Sequence, residues 1–168
     1  MKNVLILFFV FIFFSIYGQN AILWRISLET SQSITPNSTI EVEIINTDTE
    51  KKDAEIIMKV KEYSQESRKY ETKQFFIKRE EYNKICSNLL NIRTNDILSD
   101  NRLFIDGDSI WLKFMSNNFQ QIEYSLHGFN FDEKTTPSKE LLFAVKSILK
   151  LANVEIYGIN KFKENTKE

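Results

Sequence analysis

The sequence predicts an α+β domain built on one antiparallel sheet of about seven strands, with two amphipathic helices packed on it. Three observations predict this class. Most apolar runs alternate with polar residues at a period of two, which is typical of half-buried strands. Two other stretches carry apolar residues at helical spacing. The elements follow in the order four strands, a helix, three strands and a helix, without the alternation of a parallel fold, which favours an antiparallel sheet.

The first eighteen residues have the pattern of a secretory signal peptide. Lys2 provides a basic start, residues 4–17 are almost wholly apolar, and Gly18 precedes polar sequence. We predict cleavage between Gly18 and Gln19 and export by a Sec-type route. No cysteine lies near this point, so a lipoprotein is excluded. The alternative is an uncleaved membrane anchor, but the apolar run is shorter than the ~20 residues that a membrane span needs.

After cleavage, residues 19–160 are predicted to form one domain, followed by a charged tail at 161–168. The whole sequence has 22 basic and 23 acidic residues; removal of Lys2 leaves 21 against 23, a net charge of −2. Such a balance predicts no nucleic-acid partner, which would need a basic patch. The single cysteine, Cys86, excludes an intramolecular disulfide, so packing must stabilise the fold.

Four strands are predicted before the first helix. Their predicted bounds are 22–29, 39–45, 54–62 and 70–77. On the first strand, alternation predicts that one face carries Ile22, Trp24, Ile26 and Leu28.

The first helix is predicted over residues 79–91. Its apolar positions follow helical spacing and comprise Tyr82, Ile85, Cys86, Leu89 and Leu90. Glu80 and Glu81 lie in the predicted first turn, where carboxylates interact favourably with the helix dipole. A polar connector is expected from Arg93 to Arg102.

A three-stranded meander is predicted from Leu103 to Leu126. The expected strands are 103–106, 109–115 and 120–126. Asp106-Gly107 supplies the positive φ of a tight hairpin turn between the first two strands.

The second helix is predicted to begin at Thr136-Pro137, with threonine as N-cap and proline at the first helical position. Its apolar stripe comprises Leu141, Leu142, Val145, Ile148, Leu149 and Ala152. Asn153 is expected to end the helix in the left-handed conformation. Residues 154–159 then form either a short strand or a packed tail.

Cys86 and His127 are candidates for a thiol nucleophile and its base. Cys86 also lies on the apolar stripe of its helix, where burial raises the pKa of a thiol and makes it inert. The alternative is therefore a core cysteine and a histidine that braces a surface loop. A lone histidine cannot build a histidine-rich zinc site, so we predict no metal centre, and no cofactor motif is found.

Asp106 and Asp108 are the candidate carboxylate pair, with His127 as a further member of the same site. They would hold a hard cation or serve a small hydrolase. The alternative is that Asp106-Gly107 has only the role of a turn. Neither an EF-hand, a nucleophile elbow, a Gly-rich phosphate loop nor a HExxH helix is present.

Three aromatic residues are the candidate binding residues: Trp111, Phe129 and Phe131. On its predicted strand, Trp111 points away from the face shared by Ile110, Leu112 and Phe114. It is either covered by another element or available to a partner, and we expect coverage. Phe129 and Phe131 lie in the loop before the second helix and are expected to be exposed.

Several features resemble those of small exported proteins of Bacteroidota-type bacteria that have no assigned activity. These features are the signal ending Tyr17-Gly18-Gln19, the helix start Arg79-Glu80-Glu81-Tyr82, the hairpin Ile105-Asp106-Gly107-Asp108 and the closing helix from Lys146 to Ala152. The resemblance implies export and an α+β fold, and it implies no functional residue.

The sequence thus predicts a non-enzymatic binding or interaction domain of the periplasm or envelope, or one secreted from the cell. Its expected partner is a protein or an envelope component, and no membrane span is expected to remain after cleavage. Two alternatives stay open: a hydrolase or metal-dependent enzyme that uses Asp106, Asp108 and His127, and an immunity- or inhibitor-type protein.

Overall fold

One antiparallel sheet of six strands and three helices make up the described part of the chain. The computed structural model describes residues 22–32, 36–49, 51, 54–99, 108–128, 131–156 and 158–160. In chain order the elements are β1 (Leu23–Gln32), β2 (Ile40–Asn46), β3 (Ile56–Ser64), β4 (Lys69–Phe76), α1 (Arg79–Leu90), α2 (Thr94–Leu98), β5 (Asp108–Ser116), β6 (Gln121–His127) and α3 (Lys139–Leu151).

The strands are ordered β4-β3-β2-β1-β5-β6, and every neighbouring pair is antiparallel. The α+β class is therefore confirmed, but the predicted count of about seven strands is wrong, because the sheet has six. The predicted strand at 103–106 and its Asp106-Gly107 turn lie outside the described residues. β1 pairs with β2 on one side and with β5 on the other, so it joins the β2–β4 half of the sheet to the β5–β6 half.

Near the start of β1 the alternation of buried and exposed side chains is interrupted. The predicted face of the strand, with Ile22 and Trp24 beside Ile26 and Leu28, is therefore wrong at its first two positions. The pairing with β5 shifts register between Leu23 and Arg25, as at a β-bulge. Leu23 is consequently buried with Ile26, whereas Ile22 is exposed. The ring of Trp24 instead packs edge-on against Phe119, with 6.2 Å between ring centroids. A strict period of two could not show this extra residue.

The core lies between one face of the sheet and the helices, and we call this sheet surface the inner face. Its buried side chains belong to alternate strand positions: Ile26, Leu28, Val42, Ile44, Met58, Val60, Ile110, Leu112 and Phe114. They form one apolar cluster with the stripes of α1 and α3. The tail that follows α3 adds Val154, Ile156 and Ile159 to the same cluster, so residues 154–156 pack as a tail rather than as a strand.

α1 matches its predicted position closely. The backbone N–H of Lys78 donates to Glu81 Oε2 at 3.3 Å, so this first-turn carboxylate caps the helix start. The predicted stripe is buried at Tyr82, Ile85 and Leu89, while Leu90 is exposed. The polar connector expected after it contains a short helix, α2, which has no buried residue. Its two apolar residues, Ile97 and Leu98, are adjacent and therefore show no helical spacing in the sequence.

α3 begins two residues later than predicted. Its N-cap is Ser138, whose hydroxyl accepts from the backbone N–H of Leu141 at 3.4 Å, so Thr136 is not the cap. The predicted stripe is confirmed throughout. Asn153 adopts the predicted left-handed conformation, with φ of 54°. No helix in the described ranges combines the length and the apolar character that crossing a membrane requires.

A candidate binding surface on the open sheet face

The side of the sheet opposite the helices is polar and faces solvent. We call it the outer face; it comprises alternate residues of the strands. The members considered below are Arg25, Ser27, Glu29, Glu41, Glu43, Lys59, Lys61, Ser109, Trp111, Lys113, Met115, Ser125 and His127. The strand alternation that buries the core residues places these side chains on the opposite side.

Charged side chains of both signs lie on β1, β2 and β3, with Glu29 opposite Glu41 and Glu41 opposite Lys61. Glu43 forms an ion pair with Arg25 on one side, and Lys59 Nζ lies 3.9 Å from its other carboxylate oxygen. Beside this group, Lys61 Nζ lies 2.6 Å from Glu41 Oε1. The hydrogen bond to Glu41 raises the pKa of Lys61, because it favours the charged ammonium. Because these pairs are solvated, each of them contributes little to the stability of the fold.

A shallow trough of about 330 Å³ runs over this charged region. It is lined mainly by the charged residues just described, together with Ser27 and Thr72. A smaller depression of about 100 Å³ adjoins it, between Arg25, Ser27, Lys113 and Met115. Ser27 lines both, and its short side chain leaves the space between longer neighbours. The trough is at the lower end of the size range of small-molecule sites.

Trp111 is a large aromatic residue of the outer face, which also carries Tyr63, Tyr70 and Phe76 on the β3–β4 side of the sheet. It lies between Glu29 of β1 and Ser125 of β6 in the cross-strand register. Its ring is half-buried and meets the ring of His127 edge-on, with 6.3 Å between centroids. The predicted orientation away from Leu112 is confirmed. The described helices pack on the inner face, so none of them covers Trp111. The expected covering of Trp111 by another element of the chain stays a prediction.

His127 is the last residue of β6 and is exposed on the outer face. Its Nδ1 lies 2.8 Å from Ser109 Oγ on the neighbouring strand, within hydrogen-bonding distance. His127 is thus a surface residue, one of the two roles that the sequence suggested, and its described side-chain hydrogen bond is with a cross-strand serine rather than with a loop. Sequence alternation alone does not reveal this pair, because it depends on the register between β5 and β6.

Cys86 and His127 are not brought together. Cys86 packs from α1 against the core cluster, whereas His127 is exposed on the opposite side of the sheet. Burial raises the pKa of the Cys86 thiol from 9.0 to about 11, against smaller opposing effects of Tyr82 and Arg79. This side chain is thus mainly protonated at neutral pH, as expected of an inert core cysteine.

The other sequence candidates divide between the core and the parts not described. Phe131 is only 3% exposed and belongs to the core, so its predicted exposure is wrong. Phe129, Asp106 and the side chain of Asp108 lie outside the described residues, as do Gly18 and Gln19. Within the described ranges, no three His, Cys, Asp or Glu side chains come close enough together to hold a metal ion.

Sequence reasoning missed the charged trough, although its signal was present. Glu41 and Glu43 alternate on β2, and Lys59 and Lys61 alternate on β3. Only the antiparallel register shows that these two patterns face each other. Comparisons with protein-family models, with curated proteins and with solved structures found no match. The geometry of the outer face is consequently what indicates a function.

Proposed function

We propose that this chain is an exported, non-enzymatic binding domain of the periplasm or envelope, and that it binds its partner with the outer face. The observation that carries the proposal is Trp111, a large aromatic side chain on a polar, solvent-facing sheet surface. Tryptophan is costly to expose and is enriched at binding sites. Phe131 has no part in this surface because it is buried.

The charges of the outer face support recognition of a specific partner. Glu43 lies between Arg25 and Lys59, and Glu41 pairs with Lys61, so the outer face presents charges of both signs. Such a pattern selects a partner with complementary charges and rejects others. The aromatic ring provides apolar contact area, and the neighbouring trough provides a concave surface beside it.

The test is capture of a partner from the envelope fraction by the chain without residues 1–18. Substitution Trp111→Ala should abolish capture and leave the circular dichroism spectrum unchanged. Phe119→Ala is the matched control, because this aromatic residue is exposed at a turn, away from the trough. A captured partner that is retained equally by W111A would refute this use of the outer face.

The same partner should protect Trp111 directly. The sequence has two tryptophans, so Trp24→Phe leaves Trp111 as the sole indole fluorophore. Adding the captured partner should reduce acrylamide quenching of this variant. The reciprocal variant Trp111→Phe, which reports on Trp24, should show no change. Unchanged quenching of Trp111 in the complex would contradict the proposal.

Export is a separate part of the proposal and has its own test. A basic start, an apolar run and Gly18 before Gln19 support a Sec-type signal. Fractionation of cells should place the protein in the periplasm, the envelope or the medium, and its mature N-terminus should be Gln19. Recovery of the full-length chain from the cytoplasm would contradict export and leave the binding proposal intact.

A hydrolase is the second candidate, favoured by the hydrogen-bonded pair of Ser109 and His127. In it, His127 would accept the Ser109 proton as the hydroxyl attacks an ester carbonyl, and would pass that proton to the departing alcohol as the ester C–O bond breaks. Water would then cleave the acyl–Ser109 ester and release the carboxylic acid. Asp106 and Asp108 stay the candidate acidic members. Purified chain would then hydrolyse an activated ester, and Ser109→Ala would abolish that activity. Equal rates for the chain and the variant would eliminate this candidate.

An immunity or inhibitor role is a narrower form of the binding proposal, in which the partner is an enzyme. The captured partner should then lose its activity when the chain is added in equimolar amount. W111A should fail to inhibit, because the same face would make the contact. A partner that keeps full activity in the complex would eliminate the inhibitor role alone.

A further inference from the structure

The two edge strands of the sheet differ in how they are protected against pairing with another chain. β4 carries Lys69, Glu71 and Lys73 among its eight residues, and Lys73 is ion-paired with Glu62. Charged side chains, above all lysine, are a usual protection of an edge strand, because pairing would desolvate them. β6 has one charged residue, Glu123, among its seven and contains no lysine and no proline. β6 is therefore the less protected edge.

β6 also leaves apolar surface open beside the core. Ile122 lies opposite Phe114 on the inner face, yet it is 49% exposed. Tyr124, the next residue on that face, is half-buried and its ring lies 6.2 Å from that of Phe114. The inner face ends at these two side chains, because β6 has no described strand beyond it. A further strand would extend the apolar layer over them.

We propose that the occupant of this edge is a second copy of the chain, whose β6 pairs antiparallel with β6 about a two-fold axis at Tyr124. In this register Ile122 lies opposite Leu126 of the second copy, on the inner face. Glu123 lies opposite Ser125 of the second copy, on the outer face. Both contacts occur twice by symmetry. The two sheets become one continuous antiparallel sheet.

Self-pairing suits this sequence for three reasons. The register sets apolar side chains against apolar ones on the inner face, where cross-strand pairs stabilise a sheet. It sets the lone charge, Glu123, against a serine hydroxyl, so no like charges face each other. It also satisfies outward-pointing backbone groups of both strands. A single pair of seven-residue strands makes a small interface, so the association is weak and depends on concentration.

Sedimentation equilibrium of the chain without residues 1–18 is the first test. The apparent mass should rise towards that of a dimer between about 1 µM and about 1 mM, the range for small interfaces. Ile122→Lys should keep the chain monomeric, because it adds a charge to the paired edge. Phe76→Lys is the matched control on β4; Phe76 is 62% exposed, so dimerisation should persist.

The register has its own test at Ser125, which is exposed. Ser125→Lys places an ammonium opposite Glu123 of the second copy at two symmetric positions and should strengthen association about three- to tenfold. Ser125→Glu places like charges there and should weaken association by a similar factor. Circular dichroism must show both variants folded.

Three results would overturn the inference. They are a chain that stays monomeric at the highest concentration, a dimer that F76K rather than I122K disrupts, and Ser125 variants that both leave association unchanged. None of these results bears on partner capture through Trp111.

Discussion

At the residue scale, burial decides the chemistry of Cys86. Its thiol lies on α1 beside Tyr82, whose hydroxyl donates to the carbonyl oxygen of Leu23. Burial raises the pKa of both side chains, since each would have to lose solvation when it ionised. Tyr82 therefore serves as a hydrogen-bond donor that joins α1 to β1, and Cys86 serves as a neutral packing residue.

The expected consequence is slow modification of Cys86 in the native chain. A shift of its pKa from 9.0 to about 11 lowers the thiolate fraction at pH 8 about 100-fold. Iodoacetamide should therefore react at least that much more slowly with the native chain than with the chain in urea. The native rate should rise with pH until about 11. A native rate near the unfolded one at pH 8 would contradict this account.

The same shift in the pKa of Cys86 makes the folded chain lose stability as the pH rises in the alkaline range. A group whose pKa is raised by folding keeps its proton to a higher pH in the folded chain than in the unfolded chain. Its contribution to the free energy of unfolding is therefore complete at any pH below its pKa in the unfolded chain. That contribution is lost as pH rises through the folded value. For Cys86 this window extends from 9.0 to about 11. Urea titrations of Cys86→Ala should show a shallower loss of stability across the window than the unsubstituted chain.

At the element scale, helix faces are clearer in the sequence than helix ends. The stripe of α3 was predicted correctly because its burial follows one period over the whole helix. The residue at which α3 begins was not predicted correctly, because Thr136, Pro137 and Ser138 all suit a helix N-terminus. Ser138 is the cap because its hydroxyl reaches the N–H of Leu141, a contact that only the folded geometry specifies.

Replacing this cap should weaken α3. Ser138→Ala leaves the N–H of Leu141 without its acceptor in a buried place and should lower the free energy of unfolding by about 1 kcal/mol. Thr136→Ala is the control and should cost clearly less, since Thr136 does not cap the helix. Urea unfolding followed by circular dichroism measures both. Equal losses in the two variants would restore Thr136 as a candidate for the cap.

The other end of α3 has a more specific signal. The N–H of Val154 donates to Leu149 O at 3.0 Å and that of Asn153 donates to Lys150 O at 3.1 Å, which is a Schellman motif. Val154 and Leu149 are both buried, as that motif favours. Asparagine tolerates the left-handed conformation that the motif needs, so this end could be predicted from sequence.

The effect of a substitution at Asn153 on stability should depend on how well the new residue tolerates a positive φ. Asn153→Ala should lower the free energy of unfolding by about 1 kcal/mol, because a β-carbon is unfavourable at φ of 54°. Asn153→Gly should be neutral or slightly stabilising, since glycine adopts this conformation freely. Thermal unfolding of both variants provides the comparison. If the glycine variant were the less stable one, the side chain rather than the backbone would decide this position.

At the scale of the whole molecule, the sheet depends on pairings between distant parts of the chain. β1 pairs with β2, its neighbour in sequence, and with β5, which follows only after two helices. Strand positions were predictable because their period is local, whereas this order was not, because alternation carries no information on partners. The outer face was missed as a site for the same reason: its trough combines residues of several strands.

Stability should accordingly depend most on the centre of the sheet. Leu28 of β1 is 1% exposed and lies between Val42 and Leu112, so Leu28→Ala opens a cavity where both halves of the sheet meet. The free energy of unfolding should fall by about 2–5 kcal/mol. Leu98→Ala removes the same atoms from a side chain that is 73% exposed and should cost well under about 1 kcal/mol.

Urea unfolding, followed at micromolar concentration by circular dichroism and by tryptophan fluorescence, measures both leucine variants. Coincident transitions by the two probes would show that the sheet unfolds as one unit, which is required for comparing free energies. Trp24 lies on β1 and Trp111 on β5, so fluorescence reports on the joint between the halves. If L28A lost no more stability than L98A, β1 would not be the strand on which the two halves of the sheet depend.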